Sequence, residues 1–409
     1  MVLHALLKKV AYSLTYYSFL VVDFLIPKNE SVWIVASHSG IGGNARFFAE
    51  QLLAKNNKLR VHFYSLGKRK SSETEEYLLQ TYQERFCIVK RRNLKSLFIA
   101  LQAKNIFVTH DLIRDVGFPL SKLGKRRLIV NLWHGIATKK HWLVKKERFS
   151  NHKSKAAQFS KIVASSEIDA IAKAATFQKP LEDIWVTGTP RNDILTASDP
   201  LPADLAQLEQ KLLNQLNGKR LILYAPTWRS FQNDFAPLEK AYLGELTEVL
   251  EQHNAVLGMR LHEKDEHMFQ NLYDLNPLIL NLGQHKYPEV QVLLKNARIL
   301  ITDYSSIWLD YLLTGNPVIA YWYDFDRYHE KRGTLWDMEQ LFPGEKVYNG
   351  TELIAAIKKA LTLPLKETEK QQYDFARSLF HKYSDGNNTQ RVAKKVEAVI
   401  SKKDGRNNG

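Results

Sequence analysis

A short apolar strand that ends abruptly in polar residues and runs straight into an amphipathic helix is the pattern that most constrains this chain. Its clearest copy spans residues 297–313, where ARILIT is followed by DYSS and then by an apolar segment beginning IWLDY. Apolar residues recur at helical spacing in that segment, so a helix begins directly after the serines. Asp303, Ser305 and Ser306 therefore lie where backbone N–H groups at a helix start favour an anion such as phosphate. From these residues alone, capping of the helix by a serine is the more common alternative.

Three further apolar strands end in residues that carry polar chemistry. RLIVNLW runs into His134, RLILY runs into the turn APTWR, and AVLGMRL runs into His262. Open α/β sheets bind their ligands outside the carboxyl ends of parallel strands. Histidine, arginine, threonine, serine and aspartate gathered at those ends suit a phosphorylated substrate.

The alternation of strands and helices occurs in two series along the chain. Strands are expected at residues 31–37, 60–66, 86–89, 105–109, 128–133, 161–164 and 184–187, and again at 221–224, 255–260, 278–280, 298–302 and 318–321. Alternation of this kind predicts parallel sheets covered by helices, an α/β fold. A polar stretch, DPLP, separates the two series. We therefore expect domains at residues 28–198 and 199–385, followed at 386–409 by a C-terminal helix and tail.

Four sequence segments follow one another, concentrated between Trp133 and Gly333. They are NLWHGIATKK, YAPTWR, RLHEK, and ITDYSSIWLDY followed by YWYDFDRYHEKRG. Together they resemble the CDP-glycerol glycerophosphotransferase family, bacterial teichoic-acid and capsule enzymes that move glycerol phosphate from CDP-glycerol onto an acceptor. The resemblance covers roughly residues 32–383. It implies a GT-B architecture, in which two Rossmann-like domains face each other across a cleft, the first handling the acceptor and the second binding CDP-glycerol.

The resemblance also implies roles for the two histidines. A histidine titrates near neutral pH and can accept a proton from a hydroxyl, and His134 resembles the family's proposed catalytic base. Gly135 would let the chain leave the strand sharply and keep the imidazole accessible. His262, with Arg260 two residues earlier, is placed on the pyrophosphate of CDP-glycerol, where neutralising charge catalyses phosphoryl transfer. From the residues alone, a histidine bonded to a carbonyl and a solvated basic strand end are the alternatives.

The remaining candidates for substrate binding lie in turns and in one helix. Thr227 and Arg229 follow a proline, and Arg229 could bind a phosphate through two N–H donors. The turn GTPRND, with Gly188 and Arg191, resembles a family turn near the cleft; Arg191 would contact the donor or, equally, pair with the aspartate of that turn. Asp310 lies seven residues beyond Asp303, about two helical turns along the chain. It would bond ribose hydroxyls or close a polar network, and the sequence leaves both open.

Other clusters predict neither a cofactor nor a metal site. The glycine-rich segment SHSGIGGN after the first strand lacks the spacing of a dinucleotide fingerprint. The GT-B resemblance, in which the first domain handles the acceptor, implies that this loop faces acceptor or lipid. The histidines at strand ends come from four separate strands, which argues against a metal centre. These residues are His38, His110, His134 and His262.

The charge and the cysteine content of the chain limit the partners and the compartment that can be expected. The net charge is +15, yet no nucleic-acid-binding module is recognisable and the basic residues are scattered, so nucleic acid is not expected as a partner. An anionic membrane surface attracts lysine and arginine by about 1 kcal/mol each. The single cysteine, Cys87, excludes a disulfide framework and fits a reducing cytoplasm.

Residues 1–27 are rich in apolar and aromatic side chains, with Lys8 and Lys9 near the start and Asp23 inside the run. The run is shorter than the roughly 20 residues of a membrane span, and it lacks a small-residue cleavage site. We expect an interfacial helix at the cytoplasmic face of the membrane, with packing on the protein's own body as an equal alternative.

The sequence thus predicts an enzyme that transfers glycerol phosphate from CDP-glycerol to a polyprenyl-diphosphate-linked saccharide and releases CMP. The lack of a long additional N-terminal domain favours a primase-like enzyme. One alternative keeps the fold but uses CDP-ribitol or a nucleotide sugar as donor. Another is a basic scaffold that binds nucleotides or polyanions without catalysis.

Overall fold

The computed structural model of the protein describes residues 17–66, 72–90, 92–121, 126–138, 157–228, 242–262, 265–266, 270–331 and 333–404. Within them the chain forms two α/β domains, each built on one parallel sheet. The predicted fold class is confirmed. The boundaries of the domains stay a prediction.

The first domain is built on a seven-stranded sheet with the order β3-β2-β1-β4-β5-β6-β7. Its strands are β1 Asn29–Ala36, β2 Arg60–Tyr64, β3 Phe86–Val89, β4 Ala103–Val108, β5 Leu128–Asn131, β6 Lys161–Ala164 and β7 Ile184–Val186. The helices of this part of the chain are α1 Gly43–Lys55, α2 Ser72–Tyr82, α3 Leu94–Gln102, α4 Leu112–Asp115 and α5 Glu167–Phe177.

The second domain is built on a six-stranded sheet with the order β10-β9-β8-β11-β12-β13. Its strands are β8 Arg220–Tyr224, β9 Ala255–Met259, β10 Ile279–Asn281, β11 Ala297–Thr302, β12 Val318–Tyr321 and β13 Glu345–Val347. The remaining helices are α6 Asp193–Thr196, α7 Ala203–Leu216, α8 Leu243–Gln252, α9 Gln270–Leu275, α10 Val290–Asn296, α11 Ile307–Tyr311, α12 Phe325–Lys331, α13 Met338–Leu341, α14 Gly350–Thr362, α15 Glu367–Phe380 and α16 Asn388–Asp404.

The strand order reverses at the same place in both sheets. The reversal falls between β1 and β4 in the first sheet and between β8 and β11 in the second, and the described pairings at both places are parallel. Loops that leave neighbouring strands at such a point diverge to opposite faces and open a crevice. Each domain therefore has a ligand-binding edge.

Alternating side chains of each strand enter cores on opposite faces of its sheet. In β8, Leu221 and Leu223 join one core, whereas Ile222 and Tyr224 join the other. A strand that is covered on both faces is apolar along its whole length. This explains why the strands were recognisable as short continuous apolar runs.

The C-terminal helix α16 returns to the first domain. Val392, Ala393 and Val396 are fully buried in the core that α1 forms with the first sheet. Asp193 accepts hydrogen bonds from the backbone N–H groups of Asn388 and Thr389, both at 2.8 Å. The aspartate therefore anchors the start of α16 where the two domains meet.

Residues 17–25 form a helix that is attached to the first domain by a buried ion pair. The Asp23 carboxylate accepts two hydrogen bonds from the Arg127 guanidinium, at 2.8 and 2.9 Å, and both side chains are fully buried. Apolar residues on the rest of the helix remain exposed. They are Tyr17, Val21, Val22, Phe24 and Leu25. The helix therefore packs on the protein's own body through Asp23 and also presents an apolar surface, while Lys8 and Lys9 lie outside the described residues.

No helix in the described ranges combines the length and the apolar character needed to cross a membrane.

Candidate active site

The ligand-binding edges of the two domains face each other across a cleft that contains a cavity of about 190 Å³. The first domain lines it with the glycine-rich loop after β1, the ends of β4 and β5, and Arg191. The second domain contributes Arg260 and the segment that leads into α10, including Glu289 and Gln291. A group bound in this cavity would contact both domains.

The chain turns sharply at the end of β5 to bring His134 into the cleft. Trp133 has a φ of +54°, a left-handed conformation that costs a bulky residue roughly 1–3 kcal/mol. Two asparagines hold it there. Asn131 Oδ1 accepts from Trp133 N at 2.8 Å, and Asn44 Nδ2 donates to the carbonyls of Leu132 and Trp133 at 3.1 and 2.9 Å. The surrounding hydrogen bonds therefore fix a strained turn directly before the histidine.

Gly135 has a different role from the one predicted. The left-handed turn is made by Trp133, and Gly135 is needed for close approach of the domains. A Cβ atom at this position would lie 3.3 Å from Arg191 Nη2 and 3.3 Å from Ser306 Oγ. The glycine thus brings the histidine loop against the serine segment of the second domain.

The hydrogen bonding of His134 fixes its neutral tautomer. Nδ1 lies 3.2 Å from the carbonyl oxygen of Thr109, and a carbonyl can only accept. Nδ1 therefore carries the proton in the neutral ring, and Nε2 carries the lone pair. The side chain is exposed to the cleft. This arrangement suits a proton acceptor. The contact with the Thr109 carbonyl also agrees with the alternative drawn from the sequence, a histidine that is bonded to a carbonyl.

Arg191 and Asp310 form an ion pair between the domains. Arg191 Nη2 donates to Asp310 Oδ2, Arg191 Nη1 donates to the His134 carbonyl at 2.8 Å, and Asn192 Nδ2 donates to Asp310 Oδ1 at 2.9 Å. Asp310 is 1% exposed. Asp310 therefore closes a polar network. Of the two alternatives drawn for Arg191 from the sequence, pairing with Asp193 is not found among the described contacts, because Asp193 binds the start of α16. Contact of Arg191 with the donor stays a prediction.

Two residues of this network carried no sequence signal. With the Gln291 amide oriented to satisfy its neighbours, its oxygen accepts from Arg191 Nε at 3.1 Å and its nitrogen donates to Glu289 Oε1 at 2.7 Å. Glu289 Oε2 accepts from the Gly43 amide at 2.9 Å. Glu289 and Gln291 lie at the start of the short helix α10, in a segment without a recognisable motif. Only the fold therefore reveals that they join the domains beside the cavity.

Asp303 holds two loops of the second domain together. Its carboxylate accepts from Thr227 N at 2.8 and 3.1 Å and from Ser305 N at 3.3 Å, and it is 1% exposed. The aspartate thus joins the loop after β8 to the loop after β11. Thr227 is positioned by this contact, whereas Arg229 lies outside the described residues.

Ser305 and Ser306 do not cap helix α11 in the way that the alternative reading of the sequence requires. Helix α11 begins at Ile307, and among the described contacts the Ser306 side chain makes no capping hydrogen bond. Ser305 Oγ lies 3.5 Å from Ile307 N, which is long for such a bond. Both serines are partly exposed, and Ser306 lies against the histidine loop. The Ser306 hydroxyl therefore lies where the second domain meets the histidine loop.

Arg260 and His262 lie at the end of β9. Arg260 Nη1 donates to the Leu282 carbonyl at 3.0 Å and to the Tyr287 carbonyl, and the side chain lines the cavity. The His262 ring stacks on Trp228, with centroids 5.3 Å apart and planes 29° apart. Trp228 therefore packs against the imidazole of His262.

Gly188 lies against the start of α16. It has a φ of +79°, and a Cβ atom there would lie 1.9 Å from Asn388 Oδ1. The glycine makes room for the start of α16 and so serves packing beside the cleft. Among the described residues, no group of histidine, cysteine, aspartate and glutamate side chains could hold a metal ion.

Two facing α/β domains of this kind define the GT-B-like class, and solved structures confirm the fold. The structure of the wall teichoic acid polymerase TagF matches with a TM-score of 0.74 and 18% identity, covering 97% of this chain and 98% of that one. A TagF variant soaked with CDPG matches with a TM-score of 0.71 and 19% identity, over 91% and 90% of the two chains.

The chain belongs to the CDP-glycerol:poly(glycerophosphate) glycerophosphotransferase family, whose sequence profile matches residues 15–398. The resemblance drawn from the four motifs is confirmed. The teichoic acid poly(ribitol-phosphate) polymerase of Bacillus spizizenii is 26% identical over 95% of this chain and 60% of its own length. The teichoic acid glycerol-phosphate primase of Bacillus subtilis is 26% identical over 75% of this chain and 77% of its own length. The chain therefore spans less than two thirds of the first of these relatives.

Proposed function

We propose that this protein transfers glycerol phosphate from CDP-glycerol to a hydroxyl group of a polyprenyl-diphosphate-linked saccharide and releases CMP. The observation that carries the proposal is the His134 imidazole. Its Nδ1 is bound to a carbonyl, its ring is exposed to the cleft, and its loop lies against Ser306 of the second domain. Family membership supplies the class of reaction.

In the proposed mechanism the acceptor hydroxyl attacks the β-phosphorus of CDP-glycerol. His134 Nε2 accepts the hydroxyl proton as the new O–P bond forms, and a general base of this kind contributes typically about 10²–10⁴-fold to the rate. The bond between the β-phosphorus and the bridging oxygen breaks, and that oxygen leaves with CMP. The products are a phosphodiester on the acceptor and the nucleotide monophosphate.

Charge stabilisation comes from the second domain in this proposal. Arg260 lines the cavity, and a guanidinium group offers five N–H donors that match phosphate oxygens. His262 and the hydroxyl groups of Ser305 and Ser306 would bind the pyrophosphate from the neighbouring strand ends. Asp303 and Asp310 act through the loops that they hold, since both are buried against protein groups.

CDP-ribitol is the second candidate donor. It is favoured by the match with the poly(ribitol-phosphate) polymerase, which extends over 95% of this chain. The two donors share the CDP group and differ in the length of the alditol. The strand ends described above would bind the shared part, so the choice between the donors is left to experiment.

We also propose that the protein binds an anionic membrane surface from the cytoplasmic side, where the lipid-linked acceptor would be found. The exposed apolar face of helix 17–25 and the net charge of +15 support this docking. Apolar side chains would enter the interface while basic residues attract anionic headgroups. Such an orientation would bring the first domain, the proposed acceptor side, next to the lipid.

The function is tested by incubating the purified protein with a synthetic polyprenyl-diphosphate disaccharide and either CDP-glycerol or CDP-ribitol. Chromatography monitors the release of CMP, and mass spectrometry measures the mass of the lipid product. We expect CMP and a product heavier by one or more glycerol phosphate units. Turnover of CDP-ribitol alone would change the donor. Salt-sensitive binding of polyanions without CMP release from either donor would overturn the enzymatic proposal.

A further inference from the structure

We propose that His110 is a positioning residue for His134: its ring forms the platform that holds the His134 imidazole at the angle needed for proton transfer. This inference rests on the proposed function of His134. His110 follows β4, whereas His134 follows β5, so their contact is created by the sheet.

The His134 imidazole contacts the ring of its sequence neighbour Trp133, with centroids 4.3 Å apart and planes tilted by 34°. Its Nδ1 bond to the Thr109 carbonyl is 3.2 Å long, at the upper limit of an N–H···O hydrogen bond. A bond of this length restrains the tilt of the ring only weakly. The His110 ring lies nearly parallel to it, with centroids 4.4 Å apart and planes 12° apart. A stacked ring opposes that tilt because it covers one face of the imidazole.

His110 is itself fixed by a buried carboxylate. Asp115 is fully buried and accepts from the backbone N–H groups of His38, Thr109 and His110, at 3.0, 2.7 and 2.7 Å. This ties the loops after β1 and β4 together. The platform is therefore connected to the framework of the sheet.

Further hydrogen bonds set the plane of the His110 ring. Its Nδ1 lies 3.0 Å from Thr109 Oγ1 and 3.4 Å from Asp115 Oδ1. The His110 carbonyl accepts from Asn131 Nδ2 at 3.0 Å, and Asn131 also holds Trp133 in its strained conformation. One asparagine thus ties the platform to the turn that presents His134.

This role predicts a specific pattern of kinetics. Loss of the platform leaves the base present but poorly aligned, and displacement of a reacting group by about 1 Å can cost roughly 10²-fold. His110→Ala should therefore lower kcat by about 10–100-fold with little change in the KM for the donor. His110→Phe keeps an aromatic ring without the nitrogens and should return kcat to within about threefold of the wild type.

The experiment compares kcat and donor KM for the wild type, His110→Ala, His110→Phe and the control His62→Ala, a histidine on β2 in the same domain. Thermal unfolding checks that each variant folds. The proposal is overturned if His110→Ala retains kcat within a few-fold, if it raises only the donor KM, or if His110→Phe is as impaired as His110→Ala. The last outcome would mean that a nitrogen of His110 acts on the substrate directly.

A second measurement does not depend on turnover. The Hε1 proton signal of His134, assigned with a His134→Asn variant of the isotope-labelled full-length protein, should be shifted by the ring current of His110. The shift should disappear in His110→Ala and return in His110→Phe. An unchanged signal in His110→Ala would refute the stack in solution. Absence of CMP release from both donors by the wild type would instead refute the proposed function, and this signal would still test the contact.

Discussion

The cleft edges of the two domains share one topology but hold their functional side chains in different ways. At the first edge, Trp133 adopts a strained left-handed conformation and the exposed His134 ring rests on His110. At the second edge, Asp303 and Asp310 are buried and bind protein groups. The first edge therefore presents an exposed imidazole to the cleft, whereas the second uses buried carboxylates to hold its loops in place.

This difference shows that polar residues at the same position, directly after a parallel strand, can have two different roles. A residue just after a parallel strand can point into the cleft or turn back to hold the neighbouring loop. Burial distinguishes the two cases, because a buried carboxylate must be satisfied by nearby donors. The following predictions test whether the edges divide the work in this way.

The largest effect is expected at the first edge. His134→Ala should lower turnover by about 10²–10⁴-fold, because it removes the proposed base. Affinity for CDP-glycerol, measured by calorimetry, should stay close to that of the wild type, since the donor is proposed to bind to the second domain. The acidic limb of the pH–rate profile should also flatten. Turnover within a few-fold of the wild type, or a loss caused by failed donor binding, would contradict the assignment.

The next largest effect is expected for helix 17–25, whose exposed apolar face is proposed to contact the membrane. Deleting the helix would remove Asp23 and leave Arg127 buried without its partner, which typically costs about 3–5 kcal/mol. The sharper variant is therefore Val21→Ser with Leu25→Ser, at side chains that are 58% and 70% exposed. Burial of a large apolar side chain contributes about 1.5–3 kcal/mol, so vesicle binding should weaken at least about tenfold.

The matched control is Phe375→Ser on the second domain, where the side chain is 59% exposed. Cosedimentation with vesicles that contain anionic lipid measures the binding of both variants, and turnover on a water-soluble acceptor should be preserved. Equal binding by the double variant and the wild type would remove helix 17–25 from the membrane contact.

A smaller effect is expected from the serines of the second edge. Replacing Ser305 and Ser306 by alanine should weaken CDP-glycerol binding about 3–30-fold, because a hydrogen bond contributes roughly 0.5–1.5 kcal/mol. The fold should be intact, since Ser306 makes no capping bond among the described contacts. Calorimetry on this variant and on Ser378→Ala, a surface control, measures the effect. Wild-type affinity would show that these hydroxyl groups do not bind the donor.

The smallest effect concerns the pH dependence of stability beside the cleft. Burial raises the pKa of Asp193 from 3.8 to about 6, although its bonds to Thr389 and Asn388 oppose the rise. The folded protein therefore holds this proton more tightly than the unfolded chain, and Asp193 makes the protein less stable as pH rises from about 4 to about 6.

An asparagine side chain cannot titrate, so Asp193→Asn should flatten that decline, as measured by the midpoint of thermal unfolding across this range. The exposed Asp199→Asn serves as the control. An identical slope in Asp193→Asn and the wild type would show that folding does not raise the pKa of Asp193.

Most strands could be predicted from the sequence because their apolar runs are short, continuous and ended by polar residues. Strand β13 was missed. It has three residues, Glu345 and Lys346 are charged, and Val347 alone is buried. Such an edge strand receives its hydrogen bonds from β12 and has no apolar pattern of its own. The C-terminal helix was likewise predicted within residues 386–409, where the structure forms α16 Asn388–Asp404.

The sequence by itself determined the class of fold, the location of the cleft at the carboxyl ends of the strands, and the family. These depend on local patterns and on the order of the motifs. Tertiary structure alone decided which polar residues face the cleft and which bind each other. Arg191 pairs with Asp310 across 119 residues, and Asp23 pairs with Arg127 across 104. Such partners are chosen by the geometry of the sheets and by the need to satisfy buried charge, and neither leaves a signal in the neighbouring sequence.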